Sequence, residues 1–173
     1  NGRRLTALTT EQATYTADAF VVNADFADWM STTIPNRARK RWSDESLSEK
    51  KYSCSTFMLY LGIDGVYEDL PHHNIHISSD YERNLDEIER QHVLSEDPSF
   101  YVQNASVTDP TLAPQGQSAM YVLVPVTHQH RNVDWSVESD RFRDLTLDKL
   151  AAIGLTDIRE GISVEHRMTP VDV

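Results

Sequence analysis

The sequence predicts an α+β fold: a mixed, largely antiparallel sheet with helices on one side. Two observations carry that prediction. Four short runs rich in Val, Ile, Phe and Tyr between residues 51 and 126 are separated by Gly, Pro, Asp and Asn, the pattern of strands punctuated by turns. Segments of helical period lie between and after them, the clearest following residue 132. Runs of strands with helices grouped on one face give α+β. With 173 residues, 39% of them hydrophobic, the chain can bury a sizeable core.

Taken in order, residues 4–9 and 14–18 read as two antiparallel strands of a small meander. Residues 19–23 (Ala19-Phe20-Val21-Val22-Asn23) read as a short buried strand running into Asp25, the N-cap of a helix over 26–33 that Pro35 stops. Residues 36–51 carry a dense charge run around Trp42 and read as an exposed helix or connection with a solvated face. Strands follow at 56–61, 70–78, 100–105 and 119–126. The runs 57–61 and 120–126 are almost continuously apolar, which places them mid-sheet and covered on both faces. Residues 80–92 predict a helix with Tyr81, Leu85 and Ile88 inward and Glu82, Arg83, Asp86, Glu87 and Arg90 outward. In the helix after 132, Phe142, Leu145, Leu150, Ala152 and Ile153 form the apolar arc, and Gly154 is placed to end it. A last strand is expected at 162–167.

Composition excludes several functions. A net charge of −11 and a pI near 4.9 leave no electrostatic footprint for a phosphate backbone, so nucleic acid is not an expected partner. The single Cys54 permits no internal disulfide, and its place in an apolar run predicts a buried, inert thiol. No run approaches the ~18 apolar residues of a membrane-spanning helix. His72 and His76 would share a strand face but lie roughly 13 Å apart, too far for one ion, so no metal site is expected there. His128 and His130 follow the last core strand and read equally as a second metal half-site or as loop residues at a strand end. Asp97, Asp109 and Asp134 precede turns or helices and read as turn or cap residues rather than catalytic carboxylates. No catalytic residue is assigned within the chain. No Gly-flanked nucleophile turn accompanies Ser53, Ser55 or Thr56, which argues against a serine hydrolase.

Seven segments together resemble a known family. They are Val21-Val22-Asn23-Ala24-Asp25, Phe57-Met58-Leu59-Tyr60-Leu61-Gly62, His72-His73 with Ile75, Asp97-Pro98-Ser99-Phe100-Tyr101-Val102, Thr108-Asp109 through Leu112-Ala113-Pro114 to Gly116, Tyr121-Val122-Leu123 with Pro125-Val126, and Asp134-Trp135. In this order they are similar to the middle third of bacterial and fungal type phytoene desaturases (phytoene dehydrogenases), FAD-dependent enzymes of carotenoid biosynthesis within the amine-oxidase-like flavoproteins.

The resemblance implies a piece of a longer oxidoreductase that desaturates a long apolar polyene, inactive by itself. Consistent with a piece, the chain has no initiating Met and opens on Asn1-Gly2, a hairpin-turn signal with no strand before it. The resemblance assigns residues 1–35 to a meander remnant of an FAD-binding domain, 36–162 to the substrate-binding domain and 163–173 to the return. No GxGxxG fingerprint is present, so FAD is expected to be held mainly by the parent, with Asn23 and Ala24 on the cofactor side. An apolar polyene requires an apolar channel, for which Phe57, Leu59, Leu61, His73, Phe100, Val102, Tyr121 and Leu123 are the candidates. The implied setting is cytoplasmic or peripheral to the membrane, with self-association through an exposed truncation face. Two alternatives stay open: a non-catalytic lipid- or partner-binding α+β module, and a relative in the same family such as a carotenoid oxidase, ketolase or retinol saturase.

Overall fold

A computed structural model describes residues 4–172, and the Asn1-Gly2 turn lies outside the described residues. The fold is α+β, in two compact units, Asn1–Lys51 and Tyr52–Val173.

In the first unit, β1 (Ala7–Thr9) and β2 (Thr14–Thr16) form an antiparallel pair, as expected. Helix α1 (Phe26–Thr33) begins where the Asp25 carboxylate accepts the Asp28 N–H at 2.8 Å. The segment 19–23 is not the buried strand expected from its apolar run. It carries no strand, and Val21 is 94% exposed. A strand holds only when its backbone groups find a partner, and the described residues offer this one none. In 36–51 a single turn at Asn36–Ala38 precedes the short helix α2 (Asp44–Ser48). The charge run there is not wholly solvated, because Arg39 is buried and paired with Asp44 at 2.7 Å.

The second unit is built on a five-stranded antiparallel sheet ordered β4-β5-β6-β3-β7. Its middle is a long ladder between β3 (Ser55–Asp64) and β6 (Gln117–Val126), in register from Ser55 opposite Val126 to Asp64 opposite Gln117. Gly65 (φ 129°) and Gly116 (φ 80°) sit just beyond the ladder in conformations that favour glycine, and the Gly65 N–H donates to the Gly116 carbonyl. Strands β5 (Phe100–Asn104) and β4 (His73–His76) extend the sheet on one side. Strand β7 (Ile162–Met168) extends it on the other, so residues 163–168 lie at an edge of this same sheet. At Gly62 the β3–β7 register shifts. A Cβ there would lie 3.2 Å from Val164 Cβ, so the bare backbone permits the strands' close approach.

Helix α4 (Trp135–Ala152) covers one face of the sheet. It ends with Gly154 at φ 109°, its N–H on the Ala151 carbonyl and the Leu155 N–H on the Leu150 carbonyl, a Schellman closure at the glycine expected to end it. Phe142, Leu147 and Leu150 pack on Phe57, Leu59, Leu61 and Ile63, with Ile158 of α5 (Ile158–Gly161) alongside. Two ion pairs fasten α4 to β7: Arg143 forks onto Glu165, and Arg167 meets Asp140 at 2.7 Å.

Three expectations are corrected in this unit. Strands β3 and β6 alternate buried and less buried residues, so among the described residues only one face is fully covered. Cys54 precedes β3 and is exposed, because the strand begins one residue later. The segment 80–92 is α3 (Tyr81–Asp86) followed by a π turn (Glu87–Gln91), and its buried residues are Asn84, Glu87 and Ile88 while Tyr81 and Leu85 are exposed. The buried three stand at i, i+3 and i+4, one ordinary helical face turned from the 81/85/88 face expected.

Candidate functional site

The two phases of β3 and β6 separate the candidate residues onto opposite faces of the sheet. Phe57, Leu59, Leu61, Phe100 and Val102 all lie in the core beneath α4, none more than 3% exposed. Tyr121, Leu123 and His73 belong to the other, open face.

The register aligns rows of side chains across that open face. One row runs His73 (β4), Gln103 (β5), Tyr121 (β6), Tyr60 (β3), His166 (β7), each opposite the next. Beside it runs Ile75, Tyr101, Leu123, Met58, Met168. Aromatic rings make a nearly continuous stripe across all five strands. Ring centroids are 5.9 Å apart for His166 and Tyr60, 6.0 Å for Tyr60 and Tyr121, 5.5 Å for Tyr121 and Tyr101, and 5.9 Å for Tyr101 and His73. Cross-strand neighbours on one face stand close enough for such contacts.

An open cavity of about 510 Å³ lies on this face. Its floor includes Tyr60, Gly62, Ala119, Tyr121, Val164 and His166, and one wall is the segment Leu112-Ala113-Pro114. That wall follows a turn (Pro110–Leu112) capped by Asp109, whose carboxylate accepts from the Thr111 N–H and hydroxyl and is held below its usual pKa by those bonds. No Asp, Glu, Lys or Arg lines the cavity. Its size and apolar lining suit an apolar ligand.

Polar groups border the stripe. The Tyr101 hydroxyl and His73 Nδ1 are 2.5 Å apart. Burial, and then the Tyr121 hydroxyl as a hydrogen-bonding neighbour, push the Tyr101 phenol up. The Gln103 amide meets His72 Nε2 at 3.0 Å, and His72 Nδ1 meets the Thr108 hydroxyl at 2.7 Å. With the Gln103 amide donating, the His72 proton sits on Nδ1 and points at Thr108.

The remaining candidates lie elsewhere. Asn23 and Ala24 are exposed in the segment before α1. Asp134 caps α4 through Ser136, which holds its carboxyl below the usual range. Asp97 accepts from Lys149 (2.6 Å) and from the Ser79 hydroxyl and N–H, which lower its pKa strongly. His92 stacks on His128 (4.9 Å) and His130 (4.4 Å), and burial, with that crowding, lowers the pKa of both partners. Among the described residues no group of three His, Cys, Asp or Glu is arranged to hold a metal ion. No helix among them is long and apolar enough to cross a membrane.

Comparison with curated proteins gives a consistent set of relatives. The chain is 46% identical over 154 residues to a 4,4'-diapophytoene desaturase (4,4'-diapolycopene-forming) of Methylomonas sp, covering 88% of the chain and 30% of that protein. It is 47% identical over 156 residues to an all-trans-zeta-carotene desaturase of Myxococcus xanthus, with the same coverage of each. This chain belongs to the carotenoid desaturase family. Within the family it is also 34% identical over 161 residues to a 4,4'-diaponeurosporene oxygenase of Staphylococcus haemolyticus, covering 90% of the chain and 32% of that protein. The chain thus spans about 30% of the length of the curated relatives it matches. No family model matches it.

Desaturases of this kind are FAD-dependent oxidoreductases, and FAD takes its pyrophosphate at a Gly-rich turn between strand and helix of a parallel βαβ unit. All strand pairs among the described residues are antiparallel. Gly62 lies in a strand, Gly65 and Gly116 in turns, and Gly154 and Gly161 at helix ends. These residues do not fit the pyrophosphate of FAD.

Residues of the open face that sequence reasoning missed are Tyr60, Gly62, Tyr101, Ala119, Val164 and His166. Alternation was the available signal. It was masked because both phases of β3 and β6 are apolar or aromatic.

Proposed function

We propose that this chain supplies the substrate-binding domain of a longer FAD-dependent oxidoreductase that desaturates a long apolar polyene, a phytoene-like carotenoid precursor. The observation that carries the proposal is the open sheet face: a charge-free, aromatic-striped cavity in a chain whose relatives are named for polyene desaturation. A polyene has no hydrogen-bonding groups, so apolar and aromatic surface is the only recognition it can use. In this proposal Tyr121 and Leu123 touch the polyene, together with Tyr60, Ala119 and Val164, and His73 stands at the edge of the path. Phe57, Leu59, Leu61, Phe100 and Val102 act through the core that supports that surface.

FAD is held in this proposal by parts of the longer protein beyond the described residues, which supply the hydride acceptor. Residues 1–35 belong to its side, with Asn23 and Ala24 nearest the cofactor; 36–162 form the substrate-binding domain, whose sheet β7 completes, and the chain leads back along 163–173. Contact with a membrane surface delivers the substrate, and the isolated chain self-associates through apolar surface the parent covers. The oxygenase relative favours a second reading, oxidation of a polyene end by the same fold.

The experiment compares the complete parent with this chain. Each is mixed with FAD and scanned for bound flavin, then given phytoene or 4,4'-diapophytoene in liposomes. The expected result is flavin and desaturated product with the parent, and polyene binding without turnover by the chain. A parent that neither binds flavin nor changes either polyene refutes the proposal.

A further inference from the structure

The cavity is free of charged side chains but not of polar ones. The Ser118 and Ser163 hydroxyls donate to the Gly65 and Gly62 carbonyls, and Gln117 is tied to Asp64 at the exposed hairpin end of the ladder. Gln103 is held differently. Its amide donates one hydrogen to His72 Nε2 at 3.0 Å, and His72 Nδ1 in turn donates to the Thr108 hydroxyl at 2.7 Å. That chain fixes a partly buried amide beside the cavity. It leaves the amide a second N–H and a carbonyl without a hydrogen-bond partner among the described residues. Gln103 also marks an end. In the row Gln103, Tyr121, Tyr60, His166 it is the last lining residue toward β4, since His73, next in the register, does not line the cavity. His72 and Thr108 belong to two of the segments that carry the family resemblance, and neither lines the cavity.

We infer that Gln103 is a specificity residue that hydrogen-bonds an oxygen at the end of the polyene, so that the cavity prefers a polyene alcohol to the bare hydrocarbon. The inference rests on the polyene reading of the open face. A hydrocarbon end laid against Gln103 takes water from the spare N–H and carbonyl and returns no hydrogen bond, which weakens binding. A terminal hydroxyl accepts from the N–H and donates to the carbonyl, whereas an aldehyde only accepts. The preference therefore runs alcohol, aldehyde, hydrocarbon. The body of each chain still meets the apolar and aromatic floor. His72 and Thr108 are positioning residues. With Nδ1 donating to Thr108, His72 Nε2 can only accept, so the amide cannot exchange its nitrogen and oxygen without losing the bond.

The test titrates the complete protein with 4,4'-diapolycopene, its 4-alcohol and its 4-aldehyde, delivered in liposomes, and reads Kd from the shift of the polyene absorption band. The readout is the preference for alcohol over hydrocarbon in a variant against wild type, a comparison in which the compounds' different partition into the bilayer cancels. Gln103→Leu keeps the side chain's bulk and removes the amide. It should lower the preference about tenfold, roughly threefold for each of two net hydrogen bonds, with a smaller fall for the aldehyde. His72→Phe keeps a ring and frees the amide to turn, and should lower the preference about threefold with the urea midpoint near wild type. A preference that Gln103→Leu leaves unchanged overturns the inference, as does one that falls only in His166→Ala, at the other end of the row. Should Gln103→Leu fail to fold, an undiminished preference in His72→Phe overturns it instead. A wild-type protein that binds none of the three compounds overturns the polyene reading beneath it.

Discussion

Phe57 and Tyr60 are three residues apart on one strand, and the structure predicts opposite consequences for losing them. Phe57 is 0% exposed, stacked on Trp135 at 5.7 Å and edge-on to Phe142 at 5.2 Å. Phe57→Ala removes that burial and leaves a cavity between sheet and helix, a change that costs about 3–5 kcal/mol, including the aromatic pairs. Tyr60 is 39% exposed on the open face, and its loss removes only cross-strand contacts worth about 0.2–1 kcal/mol each. With a urea m-value of about 2 kcal/mol per molar, Phe57→Ala lowers the unfolding midpoint by about 2 M. Tyr60→Ala, which loses two such contacts, to Tyr121 and His166, lowers it by about 1 M or less. Trp135 fluorescence in a Trp29→Phe/Trp42→Phe background follows the sheet unit alone. Polyene binding, measured on folded protein, should fall for Tyr60→Ala and persist for Phe57→Ala. Equal midpoints, or binding lost only with Phe57, would refute the assignment of the two faces.

Glu165→Gln leaves the half-buried Arg143 without its forked carboxylate. It is expected to destabilise the sheet unit by about 1–3 kcal/mol, read as a lower urea midpoint. Asp97→Asn should cost about 0.5–1 kcal/mol at neutral pH, a figure already reduced for the partial exposure of the Lys149 pair. The folded carboxyl is depressed below its unfolded value of about 3.9. Its contribution is therefore complete above that value and fades as pH falls through the folded one, so the gap between wild type and variant closes in acid melts below about pH 4. Cys54 should react with one equivalent of a thiol reagent under native conditions, and protection from labelling until unfolding would contradict its exposure.

The middle of the sheet was legible because 57–61 and 120–126 are too apolar to lie at an edge, and they are the paired strands β3 and β6. Helix α4 was legible from its start at Asp134 and its stop at Gly154, two positions where backbone geometry dictates residue type. Other features depend on information a linear pattern does not contain. Residues 81, 85 and 88 and residues 84, 87 and 88 are both helical faces, and tertiary packing decides that Glu87 faces inward and Leu85 outward. The apolar run 19–23 has the composition of a strand, but composition does not provide a pairing edge. The stripe from His166 to His73 depends on register across five strands, and register emerges only when every strand is placed.

The apolar character of both strand phases nevertheless bears on the site. An antiparallel sheet with one face in water ordinarily shows polar residues on that face. Here the phase opposite the core carries Met58, Tyr60, Ala119, Tyr121, Leu123 and Val164, and the structure covers it only in part. Leaving such surface in water is unfavourable by about 25 cal/mol for each Å², so the pattern is explained only if something apolar covers it. A packed protein partner would need no cavity, whereas Gly62 and Ala119 keep the floor low beside the tyrosines and the wall at 112–114 stands away from it. A thin, flexible hydrocarbon fits both facts: it covers apolar surface and needs a trough to lie in. Replacing Ala119 by Phe raises the floor of that trough without touching the buried face. It should abolish binding of phytoene while leaving the unfolding free energy within about 0.5 kcal/mol of wild type, and unchanged binding would mean that the polyene does not lie in the trough.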